Sequence, residues 1–210
     1  MNPWLPLTIN MEKMSILIVG GGNVAYRKLQ ILHPKAKDIS LVSPHIIKPL
    51  SDYLIDNQIP LIPREYIEED LTDISFCVAA TDSPALNHDI TVHCLKRKIL
   101  CDSATQSPEA NVQFPAVFQE ADLSVAVSTG GKSPFLAKKL RDILRKDYSN
   151  NWSNYLKVIS DIRQNYLTRI PPGQEKVFWD QVLHSLTEDK LSQDELIIRI
   201  EKDFLPPLPQ

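Results

Sequence analysis

Residues 15–25 read Ser-Ile-Leu-Ile-Val-Gly-Gly-Gly-Asn-Val-Ala, and this stretch decides the fold of the 210-residue chain. The four residues after Ser15 are apolar and mostly β-branched, which is typical of a buried parallel strand. Beyond the glycines, apolar residues recur at helical spacing at Ala25, Leu29 and Leu32 until Pro34 ends the pattern. The stretch therefore predicts a strand, a glycine turn and a helix.

The glycine turn has the spacing G-x-G-x-x-A. Gly20 permits a sharp turn, Gly22 lets the backbone approach a pyrophosphate, and Ala25 lets the helix pack closely on the strand. The helix N-terminus also offers free N–H groups to an anion. A turn that only connects two elements is the alternative, but the position between strand and helix favours a dinucleotide site. Its predicted residues are Gly20, Gly21, Gly22, Asn23, Val24 and Ala25.

The second predicted strand, residues 39–43, ends in Ser43-Pro44-His45. NAD-binding units commonly place an acid here to bond the ribose hydroxyls, whereas an arginine favours the 2′-phosphate of NADP. Neither residue is present, so this strand end does not decide between NAD and NADP. We expect NAD. We predict that Ser43, Pro44 and His45 contact the cofactor; a solvated loop position for His45 is the alternative.

A third strand at residues 75–80 ends in Thr81-Asp82 and precedes a predicted helix at residues 83–96. Ligands of open α/β sheets bind at the carboxyl edge, which predicts that Thr81 and Asp82 contact the cofactor. An equal alternative is that these two residues cap the helix instead. For Asn87 the same two alternatives stand, a cofactor contact or a structural role. Because strands and helices alternate, the chain is predicted to be an α/β protein with a Rossmann-type parallel sheet.

A second glycine junction follows residues 123–128, where apolar and polar residues alternate. Its hydroxyls, flexible glycines, lysine and following helix N-terminus suit a carboxylate or phosphate. Between residues 128 and 147 six basic residues face two acidic ones, although a solvated helix face also explains the charges on the helix itself. The predicted anion-binding residues are Ser128, Thr129, Gly130, Gly131, Lys132 and Ser133. Apolar residues at helical spacing then predict an amphipathic helix starting at Pro134.

The composition excludes several classes of protein. Hydrophobic residues make up 43% of the chain and the net charge is −3, so neither a membrane segment nor a nucleic-acid partner is expected. No signal sequence is visible, and we expect a cytoplasmic protein with Cys77, Cys94 and Cys101 as buried thiols. His88 and His93 are five residues apart, which is unsuited to clamping one ion from a helix, so no metal is predicted.

The remainder of the chain has helical patterns. One apolar stripe contains six residues: Trp152, Tyr155, Leu156, Ile159, Ile162 and Tyr166. A break at Pro171-Pro172-Gly173 separates it from a helix carrying Val177, Phe178 and Val182. Ser192 and Glu195 have the spacing of a capping box before another apolar run, and residues 205–210 form a proline-rich tail.

Several motifs together resemble the precorrin-2 dehydrogenase and sirohydrochlorin ferrochelatase family of sirohaem synthesis. The matching residues are Pro6-Leu7, residues 16–28, residues 78–82, Asn111, Phe114-Pro115-Ala116, residues 125–134 and residues 136–141. The resemblance implies NAD-dependent removal of two hydrogens from precorrin-2, giving sirohydrochlorin, by an interlocked homodimer. It divides the chain into an NAD-binding domain (1–110), a dimerisation and substrate-binding segment (111–148) and a C-terminal helical domain (149–210).

The resemblance also suggests roles for individual residues. Asn111 and residues 128–133 become the expected substrate contacts, and Asp102 and Ser128 the candidate catalytic residues. Bifunctional relatives carry an aspartate in the loop where this chain has Ala104-Thr105-Gln106, and Asp102 occupies the position of a family asparagine. We therefore expect a dehydrogenase with little or no chelatase activity. The alternatives are a bifunctional enzyme and a non-enzymatic NAD-sensing module, which would not need residues 128–134.

Overall fold

The structure is a computed structural model that describes residues 3–105, 108–148, 152–166, 170, 173–187 and 192–203. Gln106, the predicted break at Pro171 and Pro172, and the proline-rich tail lie outside the described residues. The chain divides into two compact units, Met1–Phe114 and Pro115–Gln210. Residues 111–114 thus group with the first unit, because Val112 N donates to Cys101 O at 3.0 Å and Phe114 packs on Phe76.

The first unit contains a five-stranded parallel sheet in the order β3-β2-β1-β4-β5. The strands are β1 (Ser15–Val19), β2 (Asp38–Val42), β3 (Leu61–Ile62), β4 (Phe76–Ala79) and β5 (Leu100–Ser103). Val19 pairs with Val42 on one side and with Ala79 on the other, so β1, β2 and β4 end at the same edge. This arrangement confirms the predicted Rossmann-type sheet.

Helices cover both faces of that sheet. Alternate residues of β1 enter two separate hydrophobic clusters: Ile16 and Ile18 pack with α1 (Asn23–Leu32), and Leu17 and Val19 pack with α3 (Pro84–Lys96). The sequence analysis did not identify α2 (Lys48–Asp56), which begins with a proline in its first turn and buries Leu50 and Leu54 against the first cluster. Continuously apolar strands are the expected result of burial on two faces.

The second unit combines a hairpin with four helices among its described residues. Its elements are β6 (Ala116–Glu120), β7 (Leu123–Val127), α4 (Pro134–Tyr148), α5 (Trp152–Tyr166), α6 (Glu175–Thr187) and α7 (Gln193–Asp203). Phe178, Val182 and Leu186 of α6 are buried at i, i+4 and i+8, whereas Val177 lies off this stripe and is 58% exposed. The capping box before α7 is confirmed, because Ser192 N donates to Glu195 Oε2 at 2.9 Å.

The apolar stripe of α4 is exposed in the part of the chain that the structure describes. Phe135 is 87% exposed, and Leu136, Leu140 and Ile143 are each at least 40% exposed, while only the small side chain of Ala137 is buried nearby. A stripe that a helix exposes in this way needs another partner. In the described part of the chain no helix has both the length and the apolar character required to cross a bilayer.

Candidate functional site

The first two glycines of the turn are required by close backbone contacts. Gly20 has φ +124°, and a Cβ there would lie 2.1 Å from the carbonyl oxygen of Ala80. A Cβ on Gly21 would lie 1.9 Å from the carbonyl oxygen of His45. Any side chain at either position would push β1 away from the loops that follow β4 and β2. These glycines therefore hold the three strand ends together.

Gly22 differs because it faces open space. A Cβ there would meet only Asp82 Oδ1, at 3.8 Å, and its φ of −91° is accessible to every residue. Gly22 is the N-cap of α1 and offers no capping side chain. The first hydrogen bond of this helix runs from Tyr26 N to Gly22 O, so the amides of Asn23, Val24 and Ala25 precede it and point out of the helix end. Together they form a cradle for an anion.

Ala25 has a different part in this cradle. Its side chain is fully buried in the cluster between α1 and the sheet, so only its amide faces the helix end. A larger residue would move the helix away from β1. This is why the G-x-G-x-x-A pattern has a small residue at this position. Asn23 and Val24 likewise contribute amides to the first turn, and their side chains do not line the pocket described below.

The loop after β2 forms a second wall. The Ser43 hydroxyl donates to His45 O at 2.7 Å, and Ile47 N donates to Gly21 O at 3.0 Å. Ser43 is thus buried and shapes the loop, which leaves its oxygen only as an acceptor. Pro44 and His45 are exposed at the loop tip. No carboxylate stands at this strand end, in agreement with the sequence.

The loop after β4 forms the third wall. Fully buried Asn87 accepts from the Thr81 amide at 2.9 Å and from the Thr81 hydroxyl at 2.8 Å, and its own amide donates to Thr81 O at 3.0 Å. Capping of α3 is done by Ser83, whose Oγ accepts from Leu86 N at 3.3 Å. Asn87 therefore shapes the turn, and the exposed carboxylate of Asp82 is left facing Gly22.

These three walls enclose one pocket of about 460 Å³ in the first unit. Of the predicted cofactor residues, it is lined by Gly20, Gly21, Gly22, Ser43, Pro44, His45, Thr81 and Asp82. The sequence analysis missed Glu65 and Tyr66, which also line it. Both follow β3, a two-residue strand that is too short to give a periodic signal. Burial raises the pKa of Tyr66, whose hydroxyl lies 3.2 Å from His93 Nδ1, so this side chain remains neutral.

Asp102, a candidate catalytic residue, is buried on β5 and is not among the residues that line the pocket. Lys28 Nζ lies 2.6 Å from its Oδ2 and 3.7 Å from the centre of the Phe114 ring. Apart from this ion pair, no described group forms a hydrogen bond with Oδ2. Burial raises the pKa of Asp102, and the nearby charge of Lys28 opposes the shift. A reaction at this carboxylate would first have to break the ion pair.

Asn111, a predicted substrate contact, is tied to the edge of β5. Its Oδ1 accepts from Cys101 N at 2.7 Å, and its Nδ2 donates to Ile99 O at 3.1 Å. The side-chain amide thereby occupies backbone groups that a further strand would otherwise use. One amide hydrogen and one lone pair remain for any additional partner, and contact with substrate stays a prediction.

The second glycine junction forms a compact loop at the N-terminus of α4. Ser128 Oγ accepts from Gly130 N at 3.1 Å, and Thr129 Oγ1 accepts from Ser133 N at 3.0 Å. Gly130 and Gly131 both have positive φ. Ser133 caps α4 by accepting from Leu136 N at 3.3 Å, as predicted. In these bonds the hydroxyl oxygens act as acceptors, so each hydroxyl hydrogen remains available to donate to an anion, and Lys132 is exposed beside them.

The comparisons with known proteins agree with this geometry. An NAD(P)-binding family model matches residues 7–116, and a model of the central part of sirohaem biosynthesis proteins matches residues 121–146. The precorrin-2 dehydrogenase of Priestia megaterium is 29% identical over 155 residues, which cover 74% of this chain and 76% of that protein. The siroheme synthase of Azotobacter vinelandii is 29% identical over 190 residues.

The lengths of these relatives differ. The match covers 90% of this chain but only 41% of the siroheme synthase, so the chain spans about two fifths of that larger protein. A solved structure of SirC, a precorrin-2 dehydrogenase, has a TM-score of 0.75 and 26% identity, and the match covers 95% of this chain and 100% of that one. With more than half of its residues matched by one family model, the chain belongs to the NAD(P)-binding family of sirohaem biosynthesis that includes the precorrin-2 dehydrogenases.

Proposed function

We propose that this protein catalyses the NAD-dependent dehydrogenation of precorrin-2 to sirohydrochlorin. The observation that carries the proposal is the cradle at Gly22, where open space and the free amides of α1 meet at the carboxyl edge of a parallel sheet. The similarity to precorrin-2 dehydrogenases over most of the chain supports the choice of reaction. The siroheme synthases contain further sequence outside the region that matches this chain.

The residues of the first unit fit a dinucleotide. The amides at the start of α1 would hold the pyrophosphate, and no acidic residue in the first turn opposes it. Ser43, Pro44 and His45 would lie along the adenosine half, and Thr81 and Asp82 would complete the opposite wall. When bound, NAD would take the hydride that leaves the substrate. The protein's own contribution is to fix the orientation of the cofactor and to exclude water from it.

The second glycine junction would hold the carboxylates of the tetrapyrrole. Hydroxyl hydrogens of Ser128, Thr129 and Ser133 and the ammonium of Lys132 are the donors that such an anion requires. The N-terminus of the 15-residue helix α4 adds a favourable dipole. We retain Asn111 as a further contact, and Asp102 and Ser128 as the candidates for proton transfer.

Assembly into a homodimer and a cytoplasmic location are parts of the same proposal. The exposed apolar stripe of α4 is the surface that a second copy would cover. The three cysteines are free thiols, as a reducing compartment would keep them. Sedimentation velocity would test the assembly by measuring whether the particle has the mass of two chains.

The reaction is tested by incubating the purified protein with precorrin-2 and NAD, or NADP, under anaerobic conditions. We expect the absorption spectrum of sirohydrochlorin to appear with NAD. Ferrous or cobaltous ion added afterwards should cause no rapid spectral change, because the loop after β5 lacks the aspartate of bifunctional relatives. Absence of sirohydrochlorin with both cofactors would remove the proposal, whereas rapid metal insertion would favour the bifunctional alternative.

Replacing Lys132 with alanine should lower kcat/KM for precorrin-2 about tenfold, because one charge-assisted hydrogen bond to a carboxylate is lost. NAD affinity should be unchanged, since Lys132 does not line the cofactor pocket. The matched control is Lys138→Ala, which removes an exposed lysine of α4 outside the junction and should have little effect. Unchanged kinetics in Lys132→Ala would favour the NAD-sensing alternative.

A further inference from the structure

Three cysteines that are far apart in sequence meet in the core of the first unit. Cys77 on β4 and Cys101 on β5 are direct partners in the parallel register, and Cys94 lies in the last turn of α3 above them. Their three Sγ atoms lie within 4.8 Å of one another. Each residue is at most 1% exposed. The proposed dehydrogenation uses none of these groups, and their spacing in the sequence shows no metal-binding motif.

We propose that Cys77, Cys94 and Cys101 form a three-sulfur site for a thiophilic monovalent cation, Cu(I). A cation about 2.3 Å from each of three sulfurs in one plane holds the sulfurs about 4 Å apart. The present spacing therefore needs only a small contraction. Thiolate sulfur is the ligand that selects soft ions such as Cu(I) over hard oxygen-seeking cations.

The surroundings favour three ligands. The group of possible ligand atoms among the described residues contains the three cysteines and no histidine or carboxylate. Structural zinc sites almost always have four ligands, and a water molecule as the fourth needs polar neighbours. Here the cysteines are packed with Leu17, Leu71 and Ile90 in an apolar cluster. A three-coordinate ion meets these conditions, whereas tetrahedral zinc does not.

A bound ion would displace the thiol protons to solvent as it recruits the three sulfurs.

Access to the site does not require global unfolding. Cys94 is two residues from Lys96, where α3 ends, and terminal helical turns fray. Opening of this last turn would expose the Cys94 sulfur first. Binding should therefore be slow compared with diffusion and should proceed under native conditions.

The test uses the full-length chain, reduced and kept anaerobic, and titrated with Cu(I) in competition with a chromogenic Cu(I) chelator. We expect one ion per chain and an X-ray absorption spectrum with three sulfurs at about 2.3 Å. Cys77→Ala, Cys94→Ala and Cys101→Ala should each weaken the retention of Cu(I) at least about tenfold, because each variant lacks one thiolate ligand. NAD binding by each variant serves as the control for folding.

Two results would overturn the proposal. The first is failure of the reduced wild-type chain to retain Cu(I) against the chelator. The second is a two-sulfur spectrum together with unchanged affinity in one of the three variants. If a variant does not fold, the sulfur count of the wild-type protein decides alone. None of these results depends on the dehydrogenase reaction, so the two proposals can fail separately.

Discussion

Replacing Gly22 with aspartate should weaken the binding of NAD at least about 100-fold while leaving the fold intact. The new carboxylate would stand at the helix end where the pyrophosphate is proposed to bind, beside the existing carboxylate of Asp82. Two like charges about 4 Å apart repel by about 4 kcal/mol at the effective dielectric constant of a protein surface, which exceeds the energy of a 100-fold change. Isothermal titration calorimetry with NAD measures the effect.

Gly22→Asn is the matched control, because asparagine has nearly the same shape as aspartate without the charge. Both residues are favoured N-caps and accept the φ of −91° at this position. Thermal unfolding of Gly22→Asn should therefore match or slightly exceed that of the wild type, whereas Gly22→Asp should unfold at a lower temperature than Gly22→Asn because its carboxylate lies beside that of Asp82. An equal loss of affinity in both variants would assign the effect to bulk alone, and normal binding by Gly22→Asp would place the pyrophosphate elsewhere.

The glycine turn could be predicted because its sequence pattern is local: strand, turn and helix are contiguous in the sequence. The contacts that require Gly20 and Gly21 are with the distant residues Ala80 and His45, and these contacts became visible only in the structure. The start of α4 was predictable for the same reason, since Ser133 caps the helix that Pro134 begins. Short-range patterns of this kind need no knowledge of the rest of the chain.

Other features depend on contacts between distant segments. The cysteine cluster needs the register of β4 against β5, and a shift of one residue would turn Cys77 away from Cys101. The ion pair of Lys28 with Asp102 joins α1 to β5 across 74 positions of sequence. Glu65 reaches the pocket from the end of a strand of two residues. Sequence periodicity carries no information on such pairings, so these features required the structure.

The exposed stripe of α4 shows a third limit. The spacing of Leu136, Leu140 and Ile143 predicted an amphipathic helix correctly, but it could not indicate which surface the apolar side would contact. In the structure these side chains remain exposed. Periodicity therefore identifies an apolar surface of the helix and does not indicate what that surface contacts.

Replacing Lys28 with methionine should destabilise the protein by about 3 kcal/mol at neutral pH. Removal of one partner of a buried ion pair leaves the other charge uncompensated, which typically costs 3–5 kcal/mol, so about 3 is the low end. The side chains of Lys28 and Asp102 are only 13% and 8% exposed, so solvent screens the remaining charge weakly. The contact of the ammonium with the Phe114 ring is lost as well. Urea denaturation measures the change.

This destabilisation should depend on pH in a defined direction. Burial already raises the pKa of Asp102 in the folded protein, and Lys28 opposes that rise. For an acid with a raised folded pKa, stability is greatest below the unfolded pKa and falls as the pH rises through the folded pKa. Without Lys28 the folded pKa rises further, so the loss in Lys28→Met should be smaller near pH 4 than at pH 7.

The double variant Lys28→Met with Asp102→Asn provides the control for this explanation. It replaces both charges by neutral groups of similar size, so it should recover most of the stability that Lys28→Met loses, and its stability should vary less with pH. Asparagine is also the residue that the sequence resemblance places at position 102 in the family. A loss in Lys28→Met that is the same at both pH values, and that Asp102→Asn does not relieve, would show that Lys28 acts through its packing on Phe114 rather than through its charge.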